Sequence, residues 1–206
     1  MQIINHRNTR GDTLIEVLFA VAVFSLVAVG SLSIMNQGAA TAQRSLEITL
    51  VRQEIDAQAE TLRFLNSSYI QAYQSGLTSY PGTPADEWHL IKAEAPADAN
   101  ISQLGTCTPP ANSFILNTRT AKFVSPVGNG APIAAKTYSQ VVYDNFDNVT
   151  SAEGLWIEAI SSDVDNSNNQ GNAGYIDFHI RACWDSPGQS VPLTMGTIVR
   201  LYEPRG

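Results

Sequence analysis

Glu16 is the residue with the clearest chemical role, because it is a carboxylate at the edge of a long apolar run. The 19 residues from Val17 to Met35 contain no charge and no proline. A helix of about 20 apolar residues spans the hydrocarbon core of a bilayer, which is roughly 30 Å thick. A charge near lipid costs several kcal/mol unless it is paired. We therefore expect Glu16 to have a partner or a function at the membrane boundary.

Glu16 also completes a capping box with Thr13, three residues earlier. In that motif the threonine side chain accepts a hydrogen bond from the glutamate N–H, and the glutamate reaches back to the threonine N–H. A carboxylate in the first turn also stabilises the helix macrodipole by about 0.3–1 kcal/mol. Capping alone explains Glu16 in any helix, but it does not explain the apolar run that follows.

A short basic segment precedes the apolar run. Residues 1–11 carry His6, Arg7 and Arg10 and end at Gly11. A secretory signal has a shorter apolar segment and places its small-residue cleavage site after that segment. Here the glycine comes first, so the order is inverted. The positive charges predict that residues 1–11 stay in the cytoplasm and that the C-terminal part of the chain is exported.

The segment G-D-T-L-I-E-V, from Gly11 to Val17, resembles the type IV prepilin motif: a basic leader ending in glycine, a T-L-I-E core and an apolar helix. The resemblance implies that a prepilin peptidase cuts between Gly11 and Asp12 and methylates the new N-terminus. It also implies that Glu16 neutralises a neighbour's terminal amine during filament assembly. The family usually has Phe after the cut. Asp12 therefore excludes an N-methyl-phenylalanine terminus and adds a second carboxylate beside Glu16.

The function implied by this resemblance is that of a structural subunit, major or minor, of a type IV pilus or pilus-like filament. Its partners would be other pilin subunits, the prepilin peptidase and the pilus assembly machinery in the membrane. Two alternatives remain open: a type II secretion or competence pseudopilin, and a non-polymerising bitopic surface protein that binds a ligand. The sequence predicts neither an enzyme nor a cofactor. Its formal net charge of −7 gives no electrostatic signal for nucleic acid.

Cys107 and Cys183 are the two cysteines of the chain. Export would place them in a compartment where disulfides form and persist, so an even pair predicts a Cys107–Cys183 bond. Two buried free thiols are the alternative. A zinc site is disfavoured, because the sequence has no C-x-x-C motif and no nearby His/Cys cluster.

Helical periodicity continues beyond the membrane span, which we place at about residues 14–35. Apolar residues recur at steps of three and four, as on one face of an α-helix: Ile48, Val51, Ile55, Ala59, Leu62, Leu65, Tyr69 and Tyr73. The segment S-G-L-T-S-Y-P-G-T-P, residues 75–84, then ends the helix. The predicted organisation is a leader at 1–11, a long helix at 12–75 and a β-rich domain at 76–206.

Runs of aromatic and β-branched residues predict the strands of this domain. The expected strands are Phe114–Phe123, Tyr138–Tyr143, Leu155–Ile160, Tyr175–Trp184 and Thr197–Tyr202, with Glu87–Glu94 as a short strand or turn. Short connections favour an antiparallel sheet packed on the C-terminal half of the long helix, which is an α+β, pilin-like fold. The three tryptophans are expected in the core or on a sheet face: Trp88, Trp156 and Trp184.

Two further polar patterns are weaker candidates for sites. Asp163, Asp165 and Asn169 alternate as in a Ca²⁺-binding loop, but the characteristic Gly and Glu of that loop are missing. A solvated Asn/Asp-rich hairpin loop is the simpler interpretation.

Asp177 and His179 have the spacing of a dyad on one strand face, but no nucleophile with a glycine-turn signature accompanies them. A polar outer sheet face is the simpler interpretation of this pair.

Overall fold

The computed structural model describes residues 12–77, 81–95, 107–110, 112–125, 132–133, 135, 137–162 and 174–204. The predicted leader, residues 1–11, lies outside the described residues. The chain divides into two compact units, residues 1–45 and residues 46–206. Within the described residues there are two helices and eight strands, so the fold class is α+β.

Helix α1, Asp12–Gln74, is the longest element. The sequence predicts a helix ending at Ser75, and α1 ends one residue earlier. Gly76 terminates it with a φ of 73°, a backbone angle that residues with a Cβ rarely adopt. The Gly76 N–H bonds the Tyr73 carbonyl at 3.0 Å, and the Leu77 N–H bonds the Ala72 carbonyl at 3.2 Å. These two bonds form a Schellman motif, which satisfies the last carbonyls of the helix.

The second compact unit begins inside α1, at Leu46, rather than at the predicted boundary of residue 76. The reason is that the apolar stripe of the helix belongs to the core of this unit. Its buried members are Val51, Ile55, Ala59, Leu62, Leu65 and Tyr69. Burying a Val, Leu or Ile side chain stabilises a fold by about 1.5–3 kcal/mol, so this part of the helix is a structural component of the domain. Tyr73, the last residue of the predicted stripe, is 39% exposed.

Helix α2, Pro84–Ala93, corrects the prediction of a strand or turn at residues 87–94. Proline at the first helical position and acidic residues in the first turn both favour a helix start, and Lys92 lies in the last turn. Three apolar residues at three-residue spacing give the helix a buried face: Ala85, Trp88 and Ile91. The Trp88 ring lies 5.7 Å from the Phe178 ring, between centroids. A segment this short has too few turns for its periodicity to be recognised.

The strands of the described part of the chain form three small sheets. In chain order they are β1 Ile115–Asn117, β2 Lys122–Val124, β3 Pro132–Ile133, β4 Gln140–Tyr143, β5 Val149–Glu153, β6 Leu155–Ser161, β7 Tyr175–Trp184 and β8 Leu193–Tyr202. Strands β1 and β2 form an antiparallel hairpin, and β6-β7-β8 form an antiparallel meander. In the third sheet, ordered β3-β5-β4, strand β3 runs parallel to β5.

Several strand predictions were wrong in detail. The single strand predicted at Phe114–Phe123 is the β1–β2 hairpin, because the Asn117 side chain accepts hydrogen bonds from the next backbone N–H groups and turns the chain. Strands β3 and β5 were not predicted, and β8 begins at Leu193 rather than at Thr197. The predicted single antiparallel sheet is thus three sheets, one of which contains a parallel pair.

Strand β7 alternates as its sequence predicts. Its inward face is buried throughout: Ile176, Phe178, Ile180, Ala182 and Trp184. On the other face Asp177 and His179 are partly exposed, whereas Arg181 and Cys183 are buried. The three tryptophans are all buried, with Trp88 at 0% and Trp156 and Trp184 each at 2% exposure.

Candidate functional site

The N-terminal half of α1 exposes its apolar side chains instead of burying them. Within the described residues, this is the one helix long and apolar enough to cross a membrane, with a mean hydropathy of 2.5 over its most apolar window. None of that window is buried within the protein. Leu26, for example, is 76% exposed and Phe24 is 73% exposed. A continuous apolar surface of this kind marks contact with a membrane or with other proteins.

Two serine hydroxyls in this segment are satisfied within the helix. The Ser25 hydroxyl donates to the Val21 carbonyl, and the Ser31 hydroxyl donates to the Val27 carbonyl, each at 2.8 Å. Bonds of this kind, to the carbonyl four residues earlier, remove the need for water. The segment is therefore compatible with hydrocarbon or with a bundle of apolar helices.

Glu16 is exposed and is the only charged residue between Asp12 and Arg44. It lies one turn after the first residue of α1, where the unpaired N–H groups of a helix favour a negative charge. The predicted cut lies at Gly11, directly before the helix begins, and Gly11 itself is outside the described residues. The Thr13 side chain is outside the description as well, so the predicted capping box stays a prediction.

The C-terminal half of α1 is attached to the domain by polar bonds as well as by its apolar stripe. Gln58, which is fully buried, donates from Nε2 to the Leu116 carbonyl at 2.8 Å and accepts from the Leu116 N–H at 2.9 Å. Asn66 donates from Nδ2 to the Tyr202 carbonyl at 3.2 Å. The helix is thereby bonded to the backbones of both β1 and β8.

Glu47 forms a third attachment, near the beginning of the second unit. Its Oε2 accepts hydrogen bonds from Trp184 Nε1 at 3.2 Å and from the Ser186 hydroxyl at 2.6 Å. Glu47 is only 5% exposed, so these bonds replace the water that a buried carboxylate loses. Sequence reasoning missed all three attachments, although Gln58, Asn66 and Glu47 each lie three or four residues from a member of the apolar stripe. A polar residue at that spacing is the signal that could have identified them.

The structure joins Cys107 and Cys183 in a disulfide, the pairing that the sequence predicts, with their Cα atoms 5.6 Å apart. Cys183 is 2% exposed and is held on β7 by a hydrogen bond from its N–H to the Gly154 carbonyl at 2.7 Å. Its own carbonyl accepts from the Ser139 hydroxyl at 3.1 Å. The disulfide therefore ties a distant segment to the strand that also carries Trp184.

Asp177 and His179, the weak candidate dyad, lie two residues apart on the outer face of β7. Asp177 forms a bidentate ion pair with Arg200 of β8, with both N–O distances at 2.7 Å. The Arg200 guanidinium holds the pKa of Asp177 below its usual value. Burial, followed by the charge of Arg181, lowers the pKa of His179. The Asp177 carboxylate is thus paired with Arg200 of the neighbouring strand rather than with His179. The Arg200 guanidinium also lies over the Tyr175 ring.

The weak calcium-loop candidates Asp163, Asp165 and Asn169 lie outside the described residues. Among the residues that are described, no group of three or more His, Cys, Asp or Glu side chains is arranged to hold a metal ion.

Comparison with known proteins found no relative of this chain. The chain matches no protein-family model, no curated protein and no solved structure.

Proposed function

We propose that this protein is a structural subunit, major or minor, of a type IV pilus or pilus-like filament. The observation that carries the proposal is the exposed apolar half of α1, with one carboxylate a single turn after its start. Packing of such helices side by side would remove this apolar surface from lipid or water. The resemblance of residues 11–17 to the prepilin motif supports the same function.

In this proposal the chain is stored as a single-pass membrane protein, with its leader in the cytoplasm and its domain exported. The Cys107–Cys183 disulfide supports export, because disulfides persist mainly in oxidising compartments. A prepilin peptidase then cuts between Gly11 and Asp12, and the assembly machinery packs the mature helices into a filament. The three polar attachments hold residues 47–66 of α1 on the domain, within the second compact unit.

N-terminal analysis of the mature protein tests the proposed processing. We expect a chain that begins at Asp12, and we expect Gly11→Val to leave an uncut precursor in the membrane. Asn8→Ala, a change inside the leader that spares the cut site, is the matched control and should be processed normally. A mature chain that begins at Met1, or after Ala40 or Ala42, would contradict the proposal.

A second measurement separates a filament subunit from a membrane protein that does not polymerise. Filaments sheared from the cell surface should contain the mature chain, and Gly11→Val should remove it from that fraction. A chain that is cut correctly but stays entirely in the membrane fraction would favour the bitopic ligand-binding protein.

A further inference from the structure

The sequence contains three Asn-x-Ser/Thr triplets in which the middle residue is not proline. This triplet is the acceptor motif for N-linked glycans on exported proteins. The triplets begin at Asn66, Asn100 and Asn148. A triplet carries no argument by its occurrence alone, because so short a motif also arises by chance. An acceptor asparagine must be reachable from solvent, so the structure separates these triplets.

The first triplet is closed to modification. Asn66 lies within α1 and is only 6% exposed. Its Nδ2 donates a hydrogen bond to the Tyr202 carbonyl at 3.2 Å, so the amide that would receive a sugar is already enclosed between the helix and β8. Asn100 lies outside the described residues, and no part of the argument depends on it.

Asn148 is placed differently, because it lies in the loop of residues 144–148 between β4 and β5 and is exposed. Its backbone N–H donates to Asp144 Oδ1 at 2.9 Å, and its side-chain Nδ2 donates to Asp144 Oδ2 at 3.0 Å. An asparagine amide nitrogen carries two hydrogens. Nδ2 can therefore exchange one hydrogen for a sugar and keep its bond to Asp144 through the other.

The rest of the motif is presented in the orientation that a surface acceptor needs. Thr150, its third residue, is exposed, and its hydroxyl donates to the Val142 carbonyl of β4 at 3.1 Å. Val149, the middle residue, packs against the hydrophobic core. The alternation of β5 thus points the apolar residue of the motif inward and leaves both polar residues at the surface.

Phe146 is a second observation at the same loop. It is the most exposed large apolar side chain among the described residues, at 84%. Its backbone is held in the loop, because its N–H donates to Asp144 Oδ1 at 2.8 Å. A single exposed apolar residue needs no explanation by itself. This ring, however, lies two residues before Asn148, where the C–H face of an attached sugar would cover part of its apolar surface.

We propose that Asn148 is a site of N-linked glycosylation. The donor is an oligosaccharide carried on a lipid diphosphate. In the transfer, Nδ2 forms a bond to the anomeric carbon of the first sugar, the bond from that carbon to the diphosphate oxygen breaks, the lipid diphosphate leaves, and the amide loses one proton. This inference rests on the proposed function only for export of the domain, and it needs neither the cut at Gly11 nor a filament.

Mass spectrometry of peptides from the full-length chain, isolated from the producing cells, tests the site. We expect the peptide that contains Asn148 to carry an added mass that fragments into sugar residues. The peptide that contains Asn66 should be unmodified, because that triplet is buried. Asn148→Gln should lose the added mass.

Two substitutions at Thr150 form a matched pair. Thr150→Ser keeps the hydroxyl of the motif and should keep the glycan, whereas Thr150→Val has nearly the shape of threonine without the hydroxyl and should lose it. Both change the same exposed position and leave the acceptor amide intact. The Cys107–Cys183 link, read in the same peptide map without reduction, shows whether each variant was exported and folded.

The outcomes separate this inference from the proposed function. An unmodified Asn148 in a wild-type chain with its disulfide formed overturns the inference alone, as does a glycan found only at another residue or one that persists in Thr150→Val. A glycan on Asn148 of a chain that is never cut at Gly11 supports the inference and contradicts the proposed function. A chain with free thiols and no glycan contradicts both.

Discussion

The side-chain amide of Gln58 on α1 bonds both backbone polar groups of Leu116 on β1. Its Oε1 accepts from the Leu116 N–H, and its Nε2 donates to the Leu116 carbonyl. The Gln58 amide thereby pairs with the backbone N–H and carbonyl of Leu116, as the backbone of a neighbouring strand does in a larger sheet. This relationship explains how a short hairpin, β1–β2, is held against the helix with all four groups buried and paired.

Gln58→Leu should lower the free energy of unfolding by about 2–4 kcal/mol. Leucine fills a similar volume but leaves the Leu116 N–H and carbonyl buried without partners, and each such group costs about 1–3 kcal/mol. Chemical unfolding of the detergent-solubilised full-length chain measures the change. Gln53→Leu, at an exposed position of the same helix, is the matched control and should stay within about 0.5 kcal/mol of the wild type. Equal stability of the two variants would contradict a structural role for the Gln58 amide.

Cys107→Ser should lower the free energy of unfolding by about 2–5 kcal/mol, the usual effect of removing a native disulfide. Cys107 is the exposed member of the pair, so the substitution removes the bond without placing a hydroxyl in the core. Peptide mapping of exported protein without reduction should first find Cys107 linked to Cys183. Recovery of two freely alkylated thiols from that material would show that the bond is absent in the cell.

Glu54→Gln should stabilise the domain at neutral pH and have little effect under acid conditions. Burial raises the pKa of the Glu54 carboxyl above its usual 4.5, and the Val141 N–H bond and the Arg119 charge offset part of that rise. Because the folded state prefers the neutral acid, the contribution of Glu54 to stability is full below 4.5 and is lost as the pH rises through the folded-state pKa. Glutamine keeps an acceptor for Val141 and has no charge to bury.

The free energy of unfolding, measured from acid to neutral pH, checks whether Glu54→Gln stabilises the domain as the pH rises. For Asp177→Asn we expect a change of the opposite sign. The pKa of Asp177 is lowered by Arg200, so its contribution is present above 3.8 and is lost as the pH falls through the folded-state pKa. We expect the Asp177→Asn variant to be less stable than the wild type at neutral pH and to approach it in acid. A Glu54→Gln variant with no gain at neutral pH would contradict the burial of this carboxyl.

The features predicted correctly from the sequence are those that repeat locally. The apolar stripe from Val51 to Tyr69 and the alternation of β7 depend on periods of 3.6 and 2, which need no knowledge of distant residues. Helix α2 was predicted wrongly, because its ten residues form fewer than three turns. The β1–β2 hairpin was missed because its turn, between Asn117 and Lys122, contains no glycine or proline to mark it.

The polar attachments could not be predicted, because their partners are far away in the chain. Gln58 and Leu116 are separated by 58 positions, and Glu47 and Ser186 by 139. Gln58 lies three residues after Ile55 and four before Leu62, so its spacing places it on the buried face of the helix. Only the folded structure shows that its amide meets Leu116 of β1. The loop between β4 and β5 is similar, since its Asp147 forms an ion pair with Arg119 of the β1–β2 turn.

The last prediction concerns Glu16, the carboxylate one turn into the exposed apolar helix. In a membrane-held monomer this group lies near the lipid boundary. When apolar helices pack into a filament, an unpaired carboxylate becomes costly, and the terminal amine of a neighbouring Asp12 is a natural partner. In the proposed filament we expect the Asp12 carboxylate to compete for that amine, because the sequence places a second negative charge four residues before Glu16.

Glu16→Ala should therefore be cut and inserted into the membrane normally, yet it should enter filaments less well than the wild type. Asp12→Phe removes the competing carboxylate, so it should assemble at least as well as the wild type. Immunoblots of the sheared filament fraction, normalised to the mature chain in the membrane, measure both effects. If Glu16→Ala reaches filaments at the wild-type level, Glu16 acts only as a helix cap, and pairing with a neighbour's amine is not what drives assembly.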